Sequence, residues 1–163
     1  MSGQLDDNGR LRHLLSLEGL PRATLERLLD RAQALLPDAH GGTGLRGTLA
    51  GKTVCTLFFE PSTRTRSSFQ LAATRLGADL LDFNAATSSS KKGESDADTL
   101  RTLEAMGVHG FVVRHALDGA AATLAAAAGA GTALVNAGDG RHAHPTQGLL
   151  DMLTLRQAKG TDF

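Results

Sequence analysis

Phe58-Phe59-Glu60-Pro61-Ser62-Thr63-Arg64-Thr65-Arg66-Ser67-Ser68-Phe69-Gln70 is the stretch that decides how this chain folds. Ahead of it, Thr53-Val54-Cys55-Thr56-Leu57-Phe58 is a short apolar run rich in β-branched and aromatic residues. That composition predicts a buried parallel strand. Behind it, Phe69, Leu71, Ala72, Ala73 and Leu76 form an amphipathic segment stopped by Gly77, which predicts a helix. Hydroxyls and arginines alternate at the joint. The first N–H groups of a helix have no intrahelical partner, and the dipole there is positive. Hydroxyl donors and planar guanidinium forks add to that field, so the joint reads as a phosphate site. Taken singly, Ser62 or Thr63 would pass for an ordinary N-cap, and Arg64 and Arg66 for solvated residues of the first turn. Taken together they point to an anion, because cations in a first turn oppose the dipole unless a bound anion relieves the conflict.

Working outward, the rest of the chain repeats the same unit. Ala78-Asp79-Leu80-Leu81-Asp82-Phe83 is a second predicted strand, and Asn84 to Asp96 a loop. Ser95 or Asp96 is placed to cap a helix over Ala97–Met106, with Leu100, Leu103 and Met106 facing inward. Gly107 to Val113 leads into and forms a third strand ending at Arg114-His115. An alanine-rich helix over Ala120–Ala128 follows. Thr132-Ala133-Leu134-Val135-Asn136 is the fourth strand, and Thr146–Ala158 the last helix, with Pro145 near its first turn. Upstream, Met1–Gly9 reads as disordered. A helix opens at Pro21 and runs to about Leu36, carrying Leu25, Leu28, Leu29, Ala32 and Leu36 on one face. The loop from Pro37 to Gly47 is rich in glycine. Four alternations of strand and helix imply an α/β fold, a four-stranded parallel sheet with helices on both faces and an N-terminal helix preceding it.

Composition narrows the function. Lys plus Arg and Asp plus Glu both number 17, so no global field points to nucleic acid or a membrane surface. Trp and Tyr are absent, which weakens stacked-base recognition. No apolar run is long enough to span a bilayer, and the polar start carries no apolar signal region. The single cysteine, Cys55, has no partner for an internal disulfide and reads as a buried core thiol in a cytoplasmic protein. Gly47-Thr48-Leu49-Ala50-Gly51-Lys52-Thr53 resembles a nucleotide P-loop but fails it twice. The glycine spacing is one residue short, and the segment precedes a strand instead of opening a helix.

Ligands of such sheets bind at the carboxyl ends of the strands. Polar clusters follow every strand here: Ser62–Arg66, Ser88–Glu94, Arg114, and His144–Gln147. No Cys/His/Asp cluster has metal-ligand spacing, His142 and His144 lacking further ligands beside them, and no Ser-His-Asp order stands out. With Arg64, Lys91 or Lys92, Arg114, hydroxyls, a His and a Gln, the rim reads as an electrostatic site that holds an anion and stabilises developing negative charge. His144 is placed to donate to a carbonyl oxygen. Gln147, three residues on and on the same helix face, is placed to read an amide.

These residues carry a resemblance. Phe59-Glu60-Pro61-Ser62-Thr63-Arg64-Thr65-Arg66 resembles the carbamoyl-phosphate signature of the aspartate and ornithine carbamoyltransferases, and His144-Pro145-Thr146-Gln147 resembles their second signature. The two stand in the expected order, and the likeness covers nearly the whole chain. Ser88-Ser89-Ser90-Lys91-Lys92-Gly93-Glu94-Ser95 is similar to the aspartate branch, whose loop carries Lys-Gly-Glu. Arg114-His115 and Asn136-Ala137-Gly138-Asp139-Gly140 look like that branch too. The resemblance implies carbamoyl transfer from carbamoyl phosphate to L-aspartate, giving N-carbamoyl-L-aspartate and phosphate, with no cofactor and no metal. It implies that Ser62, Thr63, Arg64 and Thr65 bind the phosphate. Arg114 and His144 would contact phosphate and carbonyl oxygens, with Thr65 near the carbonyl, and Gln147 and its backbone neighbours would hold the carbamoyl NH2. Ser88 and Lys92 would enter the site of a neighbouring subunit in a homotrimer. Arg64, Thr65, Lys92, Arg114 and His144 would thus be the catalytic set.

The resemblance also implies a domain plan. Residues 1–150 would be the carbamoyl-phosphate-binding domain and 151–163 the end of an interdomain helix. A second, aspartate-binding domain is expected in the family, and no candidate segment for it lies within residues 1–163. The alternative is therefore a non-catalytic carbamoyl-phosphate-binding or assembly module, with other pyrimidine-pathway or regulatory chains as possible partners. Leu25, Leu28 and Leu29 are expected to lie exposed, or at a new interface, where they would face the second half.

Overall fold

The computed structural model describes residues 3–39, 45, 47–84 and 94–160. Its elements are β1 (His13–Leu14), α1 (Arg22–Ala39), β2 (Thr53–Phe58), α2 (Thr63–Arg75), β3 (Asp79–Asn84), α3 (Asp96–Ala105), β4 (Gly110–His115), α4 (Ala120–Ala127), β5 (Ala133–Asp139) and α5 (Pro145–Lys159). The strands form one sheet in the order β1-β5-β4-β2-β3, with every neighbouring pair parallel. The sheet therefore has five strands, and the expectation of four is corrected. The added strand, β1, pairs His13 with Leu134 and Leu14 with Val135. Two residues show no alternation of their own, so only the neighbouring edge of β5 makes them a strand.

Parallel strands need covered faces, and the burial pattern supplies them. On one face Cys55, Leu57, Phe111, Val113 and Leu134 pack with Leu100 and Leu103 of α3 and with Ala121, Leu124 and Ala125 of α4. On the other, Phe58, Val112 and Ala137 pack with Val54 and with Phe69 of α2. Each fully buried Leu or Phe contributes about 1.5–3 kcal/mol from burial. An apolar groove of about 490 Å³, bordered by Phe69, Leu76, Val112 and Val135, stays open on the α2 face. Cys55 is fully buried. Burial first, and Asp82 second, push its thiol up to about 12, so it is a core side chain with no thiolate character at neutral pH.

The N-terminal segment is ordered over its described part, against the expectation of disorder across Met1–Gly9. Gln4 is 1% exposed. Its Oε1 accepts the N–H groups of Leu15 at 2.7 Å and Ser16 at 2.9 Å, and its carbonyl accepts those of Arg12 and His13. Helix α1 packs on α5, where Arg156 reaches Asp30 at 2.6 Å. Leu29 is thereby buried, not exposed, while Leu25 and Leu28 are half-buried. The Gly47–Gly51 turn leads into β2, with Leu49 N–H donating to the Leu76 carbonyl at 2.9 Å. It opens no helix, as its position before a strand required.

Candidate anion-binding site at the carboxyl rim

The path of the chain reverses across the middle of the sheet. From β2 it crosses to β3 on one side and then returns past β2 to β4 on the other. A parallel sheet opens a crevice at such a reversal, outside the strand ends. Phe58, the last residue of β2, is register partner to Arg114 near the end of β4. The strands β2, β4 and β5 are consecutive neighbours, about 4.8 Å apart from one to the next. The connections after β2 and β5 deliver Ser62–Thr65 and His144, and the end of β4 delivers Arg114, to one short arc of rim.

Helix α2 begins in that crevice. Its N-cap, Ser62, sits at φ −157° and ψ 88° and makes no side-chain cap bond, and its first turn holds no acid. The Ser62 carbonyl accepts the Arg66 N–H at 3.0 Å, closing the first turn. The positive end of the helix is left without an internal counter-charge, beside four side chains that donate to oxygen. Thr63 and Arg64 are exposed, and Ser62 and Thr65 are half-buried. Arg66 points elsewhere. Its guanidinium lies 5.0 Å from the centre of the Phe58 ring, and its buried Nε faces Asp82 at 3.8 Å without a hydrogen bond. The alternating arginines thus divide: Arg64 stays at the helix start, and Arg66 braces α2 against β2 and β3.

Arg114 is held on two sides. Nη2 pairs with Glu60 at 2.7 Å, Nη1 donates to the Ala137 carbonyl at 2.9 Å, and buried Nε has no partner. Glu60 was not expected among the site residues. Its signal was an acid inside an otherwise cationic loop, and only the register of β2 with β4 reveals which arginine it meets. Gly138, at φ +114°, passes so close that a Cβ there would overlap the Arg114 guanidinium and touch the His144 ring. The missing side chain is what lets these two groups approach.

His144 is the N-cap of α5, again without a side-chain cap bond, and Pro145 occupies the first turn. Burial first, and the Arg114 charge second, hold the imidazole below its ordinary value of 6.5. The ring is therefore neutral at pH 7. The Thr146 hydroxyl lies 3.3 Å from Nδ1. With that hydroxyl donating, the ring carries its proton on Nε2 and presents a neutral donor. Gln147 lies in the first turn of α5, exposed, its Nε2 donating to Asp151 at 2.9 Å. Ser88 and Lys92, with Lys91, lie outside the described residues.

The rim therefore gathers an open helix N-terminus, a guanidinium with two of its five N–H donors engaged, and a neutral imidazole donor. Such a set can bind a dianion, polarise a carbonyl oxygen and stabilise charge moving between them. Among the described residues no group of three His, Cys, Asp or Glu side chains could hold a metal ion.

Residues 12–157 match the family described as aspartate/ornithine carbamoyltransferase, carbamoyl-P binding domain. The chain is 74% identical over 160 residues to the aspartate carbamoyltransferase catalytic subunit of Xanthomonas axonopodis pv. citri (strain 306), covering 98% of this chain and 51% of that protein. It is likewise 74% identical over 161 residues to the subunit of the same name from Stenotrophomonas maltophilia (strain R551-3), covering 98% and 51%. The chain spans about half the length of the curated relatives it matches. Among solved structures, aspartate transcarbamoylase from Trypanosoma cruzi, in complex with aspartate and phosphate, superposes with a TM-score of 0.82 at 37% identity, over 92% of this chain and 48% of that one. The catalytic subunit of M. Jannaschii aspartate transcarbamoylase does so with a TM-score of 0.81 at 36% identity, over 92% and 48%.

Proposed function

Because the chain belongs to the aspartate/ornithine carbamoyltransferase family, through the carbamoyl-phosphate-binding domain matched over residues 12–157, we propose that its rim binds carbamoyl phosphate for transfer to L-aspartate. The observation that carries this reading is the uncapped start of α2 in the crevice between β2 and β4, with Arg114 and His144 beside it. The N–H groups of the first turn, with Ser62, Thr63, Arg64 and Thr65, hold the phosphate oxygens. Arg114 spans the phosphate and the carbonyl oxygen, so an incoming dianion competes with Glu60 for its fork. His144 donates from Nε2 to the carbonyl oxygen, and Thr65 assists. Gln147 and the neighbouring backbone hold the NH2 group. Ser88 and Lys92 reach the site of a neighbouring copy, which makes a homotrimer the working unit.

The reaction then runs by positioning and charge stabilisation. The aspartate amine, as its free base, attacks the carbonyl carbon. Negative charge grows on the carbonyl oxygen, where Arg114 and His144 meet it. The C–O bond to phosphate breaks, the phosphate leaves with the electron pair, and the proton lost by the amine goes to it. Holding both reactants in register supplies a large part of the acceleration. Residues 1–150 form the carbamoyl-phosphate domain in this reading, and 151–163 lead toward an aspartate-binding part. One cysteine without a partner in the chain fits a reducing, cytoplasmic setting.

A second reading rests on the chain's covering 51% of its Xanthomonas relative: a module that binds carbamoyl phosphate without turnover, alone or in an assembly. One experiment separates the two. Labelled carbamoyl phosphate is incubated with the purified chain and aspartate, with ornithine as control acceptor, and binding is followed by calorimetry. Labelled carbamoylaspartate supports the transferase. Binding without product supports the module, and absence of binding overturns both.

A further inference from the structure

Behind His144 lies a buried carboxylate that the proposed reaction does not use. Asp139 ends β5 and is 1% exposed. Its Oδ1 accepts from Asn136 Nδ2 at 2.8 Å and from the Ala143 N–H at 3.2 Å. His142 Nδ1 lies 3.2 Å from the same oxygen and 3.3 Å from Oδ2. The backbone closes over it: Asp139 N–H donates to the Ala143 carbonyl at 3.1 Å, and His142 N–H to the Asp139 carbonyl at 3.0 Å. Asn136 extends the network. Its amide donates to the Leu15 carbonyl at 2.9 Å, and its Oδ1 accepts the Gly138 N–H at 2.9 Å.

Burying a carboxylate costs free energy unless donors surround it. All the donors here belong to β5 or to the turn that follows, and the residue after that turn is His144. Gly138, which admits Arg114 and His144 side by side, is fixed by the same network. We propose that Asp139 is a positioning residue for His144: its carboxylate clamps the turn of residues 139–143 so that the imidazole is delivered beside Arg114. The inference rests on the reading of His144 as the donor to the carbonyl oxygen.

The test is histidine-ring NMR on this chain, with carbamoyl phosphate binding as a second readout. In Asp139→Ala the His144 ring signals move, its titration rises toward the ordinary value, and carbamoyl phosphate binds about tenfold more weakly. In Asp139→Asn, which keeps an acceptor at Oδ1, the His144 signals stay near those of the parent chain. A folded Asp139→Ala whose His144 signals and titration match the parent overturns the proposal. The parent chain supplies a check that needs no variant. The Ala143 amide exchanges on the order of 1,000-fold more slowly than an unstructured amide, and exchange at the unstructured rate overturns the clamp. Should the parent chain fail to bind carbamoyl phosphate, the reading of the site falls, while the ring signals still decide the role of Asp139.

Discussion

Helices α2 and α3 both start on the carboxyl rim behind a serine, and their first turns are finished in opposite ways. At α3, Ser95 accepts the Asp98 N–H at 3.2 Å, while the Asp98 carboxylate accepts from the Ser95 hydroxyl at 2.6 Å and N–H at 3.4 Å. Asp96 and Asp98 supply negative charge to that turn. At α2, Ser62 caps nothing, and Arg64 and Arg66 stand where acids would be favourable. A capping box satisfies orphan donors from within the chain. The start of α2 omits both cap and acid, as that of α4 does, but unlike α4 it sets Thr63, Arg64 and Thr65 beside its open donors. The contrast shows that a candidate anion site is marked by what its helix lacks as much as by what it carries.

The contrast breaks most sharply at Arg64. Replacing it with Ala removes a charge-assisted contact, so carbamoyl phosphate affinity is expected to fall about 10- to 100-fold. Thermal stability of the ligand-free chain should be almost unmoved, because Arg64 is exposed. Calorimetry and a melting curve check both halves, and unchanged affinity would falsify the phosphate assignment. Ligand linkage comes next. Carbamoyl phosphate at about 100 times the parent Kd should stabilise the parent chain by roughly 2.7 kcal/mol, and the same concentration should stabilise Arg64→Ala by only roughly 0.4 to 1.4 kcal/mol.

Paired serine variants test the comparison directly. Ser95→Ala should cost about 1 kcal/mol of stability, the usual loss for an N-cap, and leave carbamoyl phosphate binding alone. Ser62→Ala should do the reverse, weakening binding with stability within about 0.5 kcal/mol of the parent. If Ser62→Ala proves as destabilising as Ser95→Ala, the two helix starts are alike and the argument from the open cap is lost.

The smallest effects are read by pH. His13 and His144 both have values held below 6.5, by burial first and by the charges of Arg12 and Arg114 second. The unfolded chain therefore takes up protons near 6.5 that the folded chain refuses. The stability these neutral rings contribute is complete above 6.5 and is lost as pH falls through their folded values. Urea unfolding between about pH 7.5 and 5 should show that decline, with a shallower slope in His144→Gln. Asp98 is held below 3.8, chiefly by the Ser95 hydroxyl. Its carboxyl titration, followed by NMR, should move back up in Ser95→Ala.

How much of this was legible in the sequence depended on whether a signal was local. Strands β2 to β5 announce themselves by apolar runs, and the glycines and caps between them are local chemistry. The start of α2 was readable because Pro61, the hydroxyls and Arg64 are contiguous. β1 was not readable, since His13-Leu14 is a strand only because β5 offers an edge. Gln4 is hidden for a related reason: a polar residue in a mostly polar stretch gives no sign that its amide will satisfy Leu15 and Ser16. The division of labour between Arg64 and Arg66 was invisible as well. Both lie between hydroxyl residues in sequence, and only the helical turn sends one toward Phe58 and Asp82.

The lone thiol gives the molecule a clock. Cys55 sits fully buried in β2, between β4 and β3, with its proton held up to about 12, so a thiol reagent can reach it only when the sheet comes apart. The rate at which the chain is labelled under native conditions thus counts openings of the core directly, with no probe introduced. A ligand seated at the rim, bound only by the closed sheet, should slow that count, and a variant that merely loosens the rim should leave it running at the same pace.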